Sequence, residues 1–366
     1  MASFDVMGWN ETHRGRWANV DLEPPQSKAH WSRTSIKEGW EYKYGDASGF
    51  AKYTPCETPV SVLAGFPDNF VKKPEGRAST VGVEVIIKAL KQAGVDPLSP
   101  GIVTFRNNLN KIFLTVVDNK KDWVVSACML SGFPTLFLDI ETSDADFETY
   151  PDSEKFTYYG YKFETLCTGG GDGVVDSTSE SAVVVKSKLN DLDLLIATEV
   201  DCHEEAQDLG VDGKPEVSSF VEIKTSRLPA STKQRQNAQR FKFPKWWVQS
   251  LLGGVPKIVV GYWDNDGVIQ DIKAFETHTL PTKATDGMTG YMKKQIWKPD
   301  HILSFGLEVL LWMMSYAEQD RDCHLQFRYD PRSQIIKGAL VREGDLVERV
   351  KTALGISEEA AKKSDM

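Results

Sequence analysis

Hydrophobic and polar positions change period several times along the chain, and each change marks a predicted element. Over residues 79–93, Val81, Val83, Val85, Ile86 and Leu90 give an apolar helical face that Gly94 stops. From Gly101 onward, β-rich runs at 102–105, 112–117, 123–129 and 135–140 alternate with turn residues and read as strands. Residues 156–166 put Tyr159, Tyr161 and Phe163 on one side and Gly160, Lys162 and Glu164 on the other, the alternation of a half-buried strand. The following Gly169-Gly170-Gly171-Asp172-Gly173 lacks the GxxxxGK(S/T) spacing of a phosphate loop and reads as a surface turn. Further strands are predicted at 182–186, 192–202 and 218–225, the last two joined by a polar connection containing Asp212-Gly213. A helix over 232–252, ended by Gly253-Gly254, precedes strands at 257–263 and 268–274 around the turn Asn265-Asp266-Gly267. A buried helix at 301–318, strands at 325–329 and 334–340, and a closing helix from Gly344 complete the pattern. The first sixty residues hold no sustained period and read as irregular structure packed on the body, and 357–366 as a frayed tail. With no internal repeat and no linker, residues 1–366 read as one α+β domain.

Composition narrows this little: 41% hydrophobic and 26% charged residues are ordinary for a packed globular chain. The first 17 residues carry Asp5, Glu11, Arg14 and Arg16 without an apolar run, so no signal sequence is expected there. The apolar stretch 303–314 is interrupted and short of a bilayer span, so no membrane association is expected and a cytosolic or nuclear protein is. Five scattered cysteines without a CxxC pair suit reduced thiols better than disulfides or zinc. A net charge of −9 repels a polyanion at long range, so any nucleic-acid contact has to be local.

Two short patterns carry chemistry. Glu199 and Asp201 stand at i and i+2 near the end of one predicted strand, and Glu222 and Lys224 repeat the spacing on another. Alone, the first pair reads as a strand end entering solvent and the second as a cross-strand ion pair. Together, acid followed by Glu-x-Lys is the spacing with which two sheet edges grip a hard divalent cation beside a lysine, as in the PD-(D/E)xK nuclease superfamily. Glu164 joins them if its strand neighbours theirs. The stretch 223–247 adds Lys224, Arg227, Lys233, Arg235, Arg240, Lys242 and Lys245 without one acid, interleaved with Phe241, Phe243, Trp246 and Trp247. Cations among aromatic faces suit single-stranded nucleic acid, although a solvated basic helix with its aromatics in the core has the same pattern. The histidines show no metal or triad spacing, and no GxSxG is present.

Taken in order, four segments resemble the motifs of the DXO/RAI family of decapping exoribonucleases. They are Gly160-Tyr161-Lys162-Phe163-Glu164, Glu199-Val200-Asp201-Cys202, Glu222-Ile223-Lys224, and Lys245-Trp246-Trp247-Val248-Gln249-Ser250 continued by Gly254-Val255-Pro256-Lys257-Ile258-Val259-Val260-Gly261. The resemblance is strong over 156–266 and thinner on both sides. It implies an α+β domain of two mixed or antiparallel β-sheets flanked by helices, with a PD-(D/E)xK-like metal site in a deep pocket holding Mg²⁺ or Mn²⁺, two ions in the reactive complex. It also implies hydrolysis at RNA five-prime ends: pyrophosphate removal from triphosphate ends, removal of unmethylated or NAD caps, and five-prime to three-prime exonuclease digestion. By motif, Glu164, Glu199, Asp201 and Glu222 would bind metal, with the Ile223 carbonyl as a further ligand. Lys224 would face phosphate and water, Gln249 would orient water or substrate, and Glu199 and Asp201 would serve catalysis. Arg106, in Val103-Thr104-Phe105-Arg106-Asn107-Asn108, matches an upstream substrate-contacting arginine, although Asn107 and Asn110 depart from the glycine and threonine common around it. A nuclear location and an Xrn-type exoribonuclease as partner, known for some fungal members, are further implications; no partner-binding segment is evident. Two readings outside the family stay open on the residues alone: a DNA nuclease of the PD-(D/E)xK type, and a non-enzymatic partner that stabilises an exonuclease.

Overall fold

The computed structural model describes residues 2–13, 15, 17, 19–36, 39–73, 81–99, 101–142, 151–171, 173–204 and 216–356. Strand β1 (Ser3–Asp5) leads into helix α1 (Val6–Thr12), followed by β2 (Gln26–Ile36), β3 (Gly39–Tyr44), β4 (Val60–Ser61) and β5 (Phe70–Val71). Then come α2 (Val83–Gln92), β6 (Gly101–Phe105), α3 (Arg106–Leu114), β7 (Trp123–Met129) and β8 (Thr135–Ile140). The central part holds α4 (Ser153–Cys167), β9 (Val175–Asp176), β10 (Glu180–Leu189), β11 (Leu192–Glu199), β12 (Cys202–His203) and β13 (Phe220–Arg227). Next are α5 (Thr232–Phe241), α6 (Phe243–Gly253), β14 (Lys257–Trp263), β15 (Val268–Glu276), α7 (Leu280–Lys283) and α8 (Gly290–Lys294). The chain closes through α9 (Pro299–Gln319), β16 (Leu325–Asp330), β17 (Ile335–Leu340) and α10 (Leu346–Leu354).

Two mixed sheets organise these elements. The larger has ten strands in the order β1-β17-β16-β7-β8-β6-β11-β10-β2-β3, and the smaller has five, β12-β13-β14-β15-β4; β5 and β9 form a separate pair. Helices α3, α6 and α9 fill the space between the two sheets, where Leu109, Phe113, Trp246, Trp247, Phe305 and Val309 join Ile258 and Val260 of β14 in the main core. On its far face the large sheet is covered by α2 and α10, through Ile86, Leu90, Leu346 and Val350. The far face of the small sheet is covered by α4, where Tyr158, Tyr159 and Phe163 meet Val221, Ile223 and Val259. This is the layered burial that apolar strand faces and helix stripes require.

Several sequence expectations are corrected. Residues 156–166 are helical: buried Tyr159, Phe163 and Cys167 are four apart, as are Tyr158 and Lys162. Aromatic side chains at 159, 161 and 163 also satisfy a strand period, and packing on β13 decides between the two. Residues 112–117 likewise fall in α3 and the turns after it, with Leu109, Ile112 and Phe113 at helical spacing. The helix expected over 232–252 is two helices meeting at Lys242, because Pro244 has no N–H to continue the first. The first sixty residues are not irregular: β2 is an eleven-residue strand of the large sheet, its outward polar residues having masked the period. The strand expected over 192–202 is split, since β11 ends in the large sheet at Glu199 and β12 begins in the small one at Cys202. The connection containing Asp212-Gly213, positions 79–80 of the first predicted helix and the tail 357–366 lie outside the described residues.

Candidate active site

The crossing from one sheet to the other creates the site. β11 and β13 do not pair with each other, so Glu199 and Glu222 stand on different sheets, and Asp201 sits in the step between them. β12 is only two residues long and pairs with Phe220 and Val221, so among the described residues no strand covers the same edge of β13 from Glu222 onward. At that open edge Asp201 Oδ2 accepts the Ile223 N–H at 2.7 Å. A strand residue directs its N–H and C=O to the same edge, so the Ile223 carbonyl also points into the gap.

Glu222 is 2% exposed and gathers three donors. Lys224 donates to its Oε1, Gln249 Nε2 donates to the same oxygen at 2.6 Å, and Arg106 Nη1 reaches Oε2 at 3.2 Å. Burial works against the Glu222 charge, but Lys224 and Arg106 overcome it and hold the carboxyl below its ordinary range. For Lys224 burial likewise opposes the charge, and Glu222 and Asp201 raise the amine above the usual lysine value. Arg106 opens α3 immediately after β6 and is buried, not solvated at a strand end. It fits there because α6 ends in glycine: a Cβ on Gly253 would lie 2.9 Å from Thr198 Oγ1 and 3.1 Å from Arg106 Nη1.

For the other three acids burial and repulsion outweigh the nearby cations. Glu164, Glu199 and Asp201 line one cleft of about 340 Å³. Burial first, and then repulsion from Asp201 and Glu199, push the Glu164 carboxyl well above the usual range. Asp201 is pushed up to about 6 by burial and by Glu222. Glu199, surrounded in depth by protein yet open to the water of the cleft, is pushed up to about 7 by burial and by Glu180, against the pull of Lys73. Glu164 reaches this group because Phe163 beside it lies flat against the small sheet, where a Cβ on Gly261 would come within 2.7 Å of its ring.

Eight residues singled out from the sequence are thus found around one gap: Arg106, Glu222, Lys224 and Gln249 in direct contact, Asp201 on the Ile223 amide, and Glu164 and Glu199 across the cleft. Among the described residues no three acidic, histidine or cysteine side chains are drawn close enough to grip an ion as they stand. The acids feel one another's charge without closing into a coordination shell. The aromatics of the basic stretch are not interleaved with its cations, since Phe243, Trp246 and Trp247 are in the core and only Phe241 is exposed.

A second charged cluster was not read from the sequence. Glu180 and Arg33 face each other across β10 and β2, with Arg33 Nε to Glu180 Oε2 at 2.5 Å, and Lys73 pairs with the other oxygen of the same carboxylate. The Arg33 guanidinium rests 4.2 Å from the Trp40 ring centroid. Arg33 reaches the cleft because β2 is a strand of the large sheet, a pairing that no local period in the first sixty residues signals.

Comparison with known proteins adds an independent line. A family model described as RAI1 like PD-(D/E)XK nuclease matches residues 23–350. The human decapping and exoribonuclease protein is 28% identical over 311 residues, covering 79% of this chain and 75% of that protein. The crystal structure of Candida albicans Rai1 in complex with pU5-Mn2+ superposes with a TM-score of 0.77 at 20% identity, over 96% of this chain and 98% of that one. Scheffersomyces stipitis Rai1, solved with (3'-NADP)+ and a calcium ion, gives a TM-score of 0.77 at 18% identity, over 94% and 95% of the two chains.

Proposed function

The chain belongs to the RAI1 like PD-(D/E)XK nuclease family, and from that premise we propose that it is a divalent-metal-dependent hydrolase of RNA five-prime ends, a decapping nuclease. The observation that carries the reading is the convergence of Glu164, Glu199, Asp201 and Glu222 beside Lys224 at the gap where the chain passes from one sheet to the other. Relatives carry the matching names: the human one is a decapping and exoribonuclease protein, and the Candida albicans structure holds pU5-Mn2+.

The residues suit a hard cation. Burial and repulsion between acids raise three carboxylates beyond what Lys73, Lys224 and Arg106 offset, and the carbonyl of Ile223 is turned to the same gap. Glu164, Glu199, Asp201, Glu222 and that carbonyl would hold Mg²⁺ or Mn²⁺. When bound, the ion polarises a phosphoryl oxygen and lowers the pKa of water.

The chain's own contribution is a preorganised set of donors. Glu222 fixes Lys224, Gln249 and Arg106 in one cluster, so three hydrogen-bond donors are held in place at the gap and would need little reorganisation to meet a reacting phosphate there. Lys224 remains protonated and supplies the positive charge nearest the phosphate. Gln249 orients water or substrate through whatever hydrogen-bonding capacity Glu222 does not take. Glu199 faces the same cleft, where burial and Glu180 raise its carboxyl and a bound cation would hold it ionised.

The proposal extends to triphosphate, unmethylated-cap and NAD-capped ends, and to exonuclease digestion. It also extends to a nuclear location beside an Xrn-type exoribonuclease, which co-purification would test. The decisive experiment incubates the protein and Mn²⁺ or Mg²⁺ with RNAs that differ only at the five-prime end, together with a matched DNA, and resolves products by mass. Release of end groups from RNA in preference to DNA is expected. Equal turnover of DNA, or no turnover of any end, would overturn the reading.

A further inference from the structure

Two sulfurs that the carboxylate site does not use lie against each other. Cys167 ends α4 and is buried, and Cys56 stands half-buried in the loop between β3 and β4. Their Sγ atoms are 3.8 Å apart, with Cys167 donating to Cys56, and a separation of 111 positions hides the pair from any local spacing. The two differ in character. Cys56 lies between exposed Pro55 and Glu57, where small solutes reach it, and the hydrogen bond from Cys167 holds its thiol below the ordinary range. Cys167 gives that hydrogen bond and is buried, both of which raise its thiol, and it sits at the negative end of a helix of 15 residues. An accessible sulfur that ionises first, beside a buried thiol within reach, is the arrangement of an attacking cysteine and its resolving partner.

The loop that carries Cys56 is tied to both halves of the site. The Thr54 N–H donates to the Cys167 carbonyl at 2.7 Å, the Tyr53 N–H to the His203 carbonyl at 2.7 Å, and the His203 N–H to the Ala51 carbonyl at 2.9 Å. Glu164 lies one turn before Cys167 in α4, and β12 starts one residue after Asp201. A bond between two sulfurs needs about 2 Å, so closure draws this pair together by about 1.8 Å. Whichever sulfur gives way, an element that carries a carboxylate is pulled, and metal ligands tolerate displacements of only about 0.2 Å.

We propose that Cys56 and Cys167 form an oxidisable dithiol, which a hydroperoxide closes to a disulfide and which, once closed, weakens divalent-cation binding at the neighbouring carboxylates. In the first step the Cys56 thiolate attacks one peroxide oxygen and the O–O bond breaks. The departing hydroxide takes up a proton as water, and Cys56 becomes a sulfenic acid. In the second step the Cys167 sulfur attacks the Cys56 sulfur and the S–O bond breaks, the hydroxyl leaving with the Cys167 proton as a second water. The thiols lose two electrons and the peroxide gains them, and an external reductant reverses the bond. The inference rests on the reading of Glu164 and Asp201 as metal ligands and adds redox control to it.

The test treats the full chain in EDTA with equimolar hydrogen peroxide, then alkylates and digests one portion without reductant for mass spectrometry. A second portion is desalted, and its Mn²⁺ affinity is measured by calorimetry. A peptide pair joined through Cys56 and Cys167 is expected, and it should vanish on reduction. Mn²⁺ binding should weaken at least about tenfold on oxidation and recover with a phosphine reductant. Cys56→Ser should keep Cys167 reduced and Mn²⁺ affinity at the untreated level. Cys167→Ala should stop at a sulfenic acid on Cys56, trapped by dimedone, with Mn²⁺ affinity also retained, which separates closure of the bond from oxidation of Cys56 alone. Absence of the joined peptides with Mn²⁺ binding intact would overturn the proposal and leave the metal reading standing. Joined peptides with unchanged Mn²⁺ affinity would end the proposal as well. Failure of reduced wild type to bind Mn²⁺ would overturn both.

Discussion

Replacing Asp201 with asparagine should make the metal-free protein more stable and inactive. Its carboxyl is raised from 3.8 to about 6 by burial and by Glu222, so the folded protein holds a proton there more tightly than the unfolded chain does. For an acid shifted upward the sign is unfavourable: stability falls as pH rises from the unfolded value through the folded one, and stays reduced above it. A shift from 3.8 to about 6 corresponds to about 3 kcal/mol at pH 8 and about 0.5 kcal/mol at pH 4. Asparagine removes the charge and can still accept the Ile223 N–H through its carbonyl oxygen. At about 2.1 cal/mol/K of unfolding entropy per residue, that relief corresponds to a rise in Tm of roughly 4 °C at pH 8 and less than about 1 °C at pH 4. Thermal or urea unfolding in EDTA at the two pH values measures it. With Mn²⁺ at about 100 times its Kd, wild type should recover about 2.7 kcal/mol that the variant does not, and the order of stabilities should close or invert. A variant less stable than wild type at pH 8 in EDTA, or equally stabilised at both pH values, would refute the electrostatic account of the cleft.

Other outcomes follow from the same geometry. Glu222→Gln leaves Arg106 and Lys224 facing each other with no intervening charge, so a loss of about 3–5 kcal/mol in urea unfolding is expected along with abolished turnover; near wild-type stability would show that the ion cluster is solvated. Gly261→Val drives a side chain into the Phe163 ring and should displace Glu164, weakening Mn²⁺ binding measured by calorimetry while leaving far-ultraviolet circular dichroism intact. Turnover at limiting metal should decline as pH drops through about 7 and about 6, where Glu199 and Asp201 take up protons; raising Mn²⁺ should move the decline to lower pH, and a flat profile would contradict it. Arg106→Ala, which takes one donor from Glu222, should reduce use of different RNA ends unequally in a panel of capped, triphosphate and monophosphate substrates; a uniform loss would make Arg106 a purely positioning residue.

The sequence by itself determined the chemical kit. Glu199-Val200-Asp201 and Glu222-Ile223-Lys224 are legible because carboxylates at i and i+2 near predicted strands are costly to bury, and the order of four motifs made their company specific. Strands such as β7, β8 and β14 were legible to the residue because β-branched and aromatic runs between turn residues have few other solutions. Tertiary structure decided what these residues face. Residues 156–166 satisfy both periods, and only packing against β13 makes them helix α4 and swings Glu164 toward Asp201. Likewise no local signal says that β11 and β13 belong to different sheets, because strand pairing is a contact between distant segments. The site lies in that crossing, where β12 is too short to cover the edge of β13, and the cations of Arg33 and Lys73 arrive from parts of the chain more than 100 residues from Glu180.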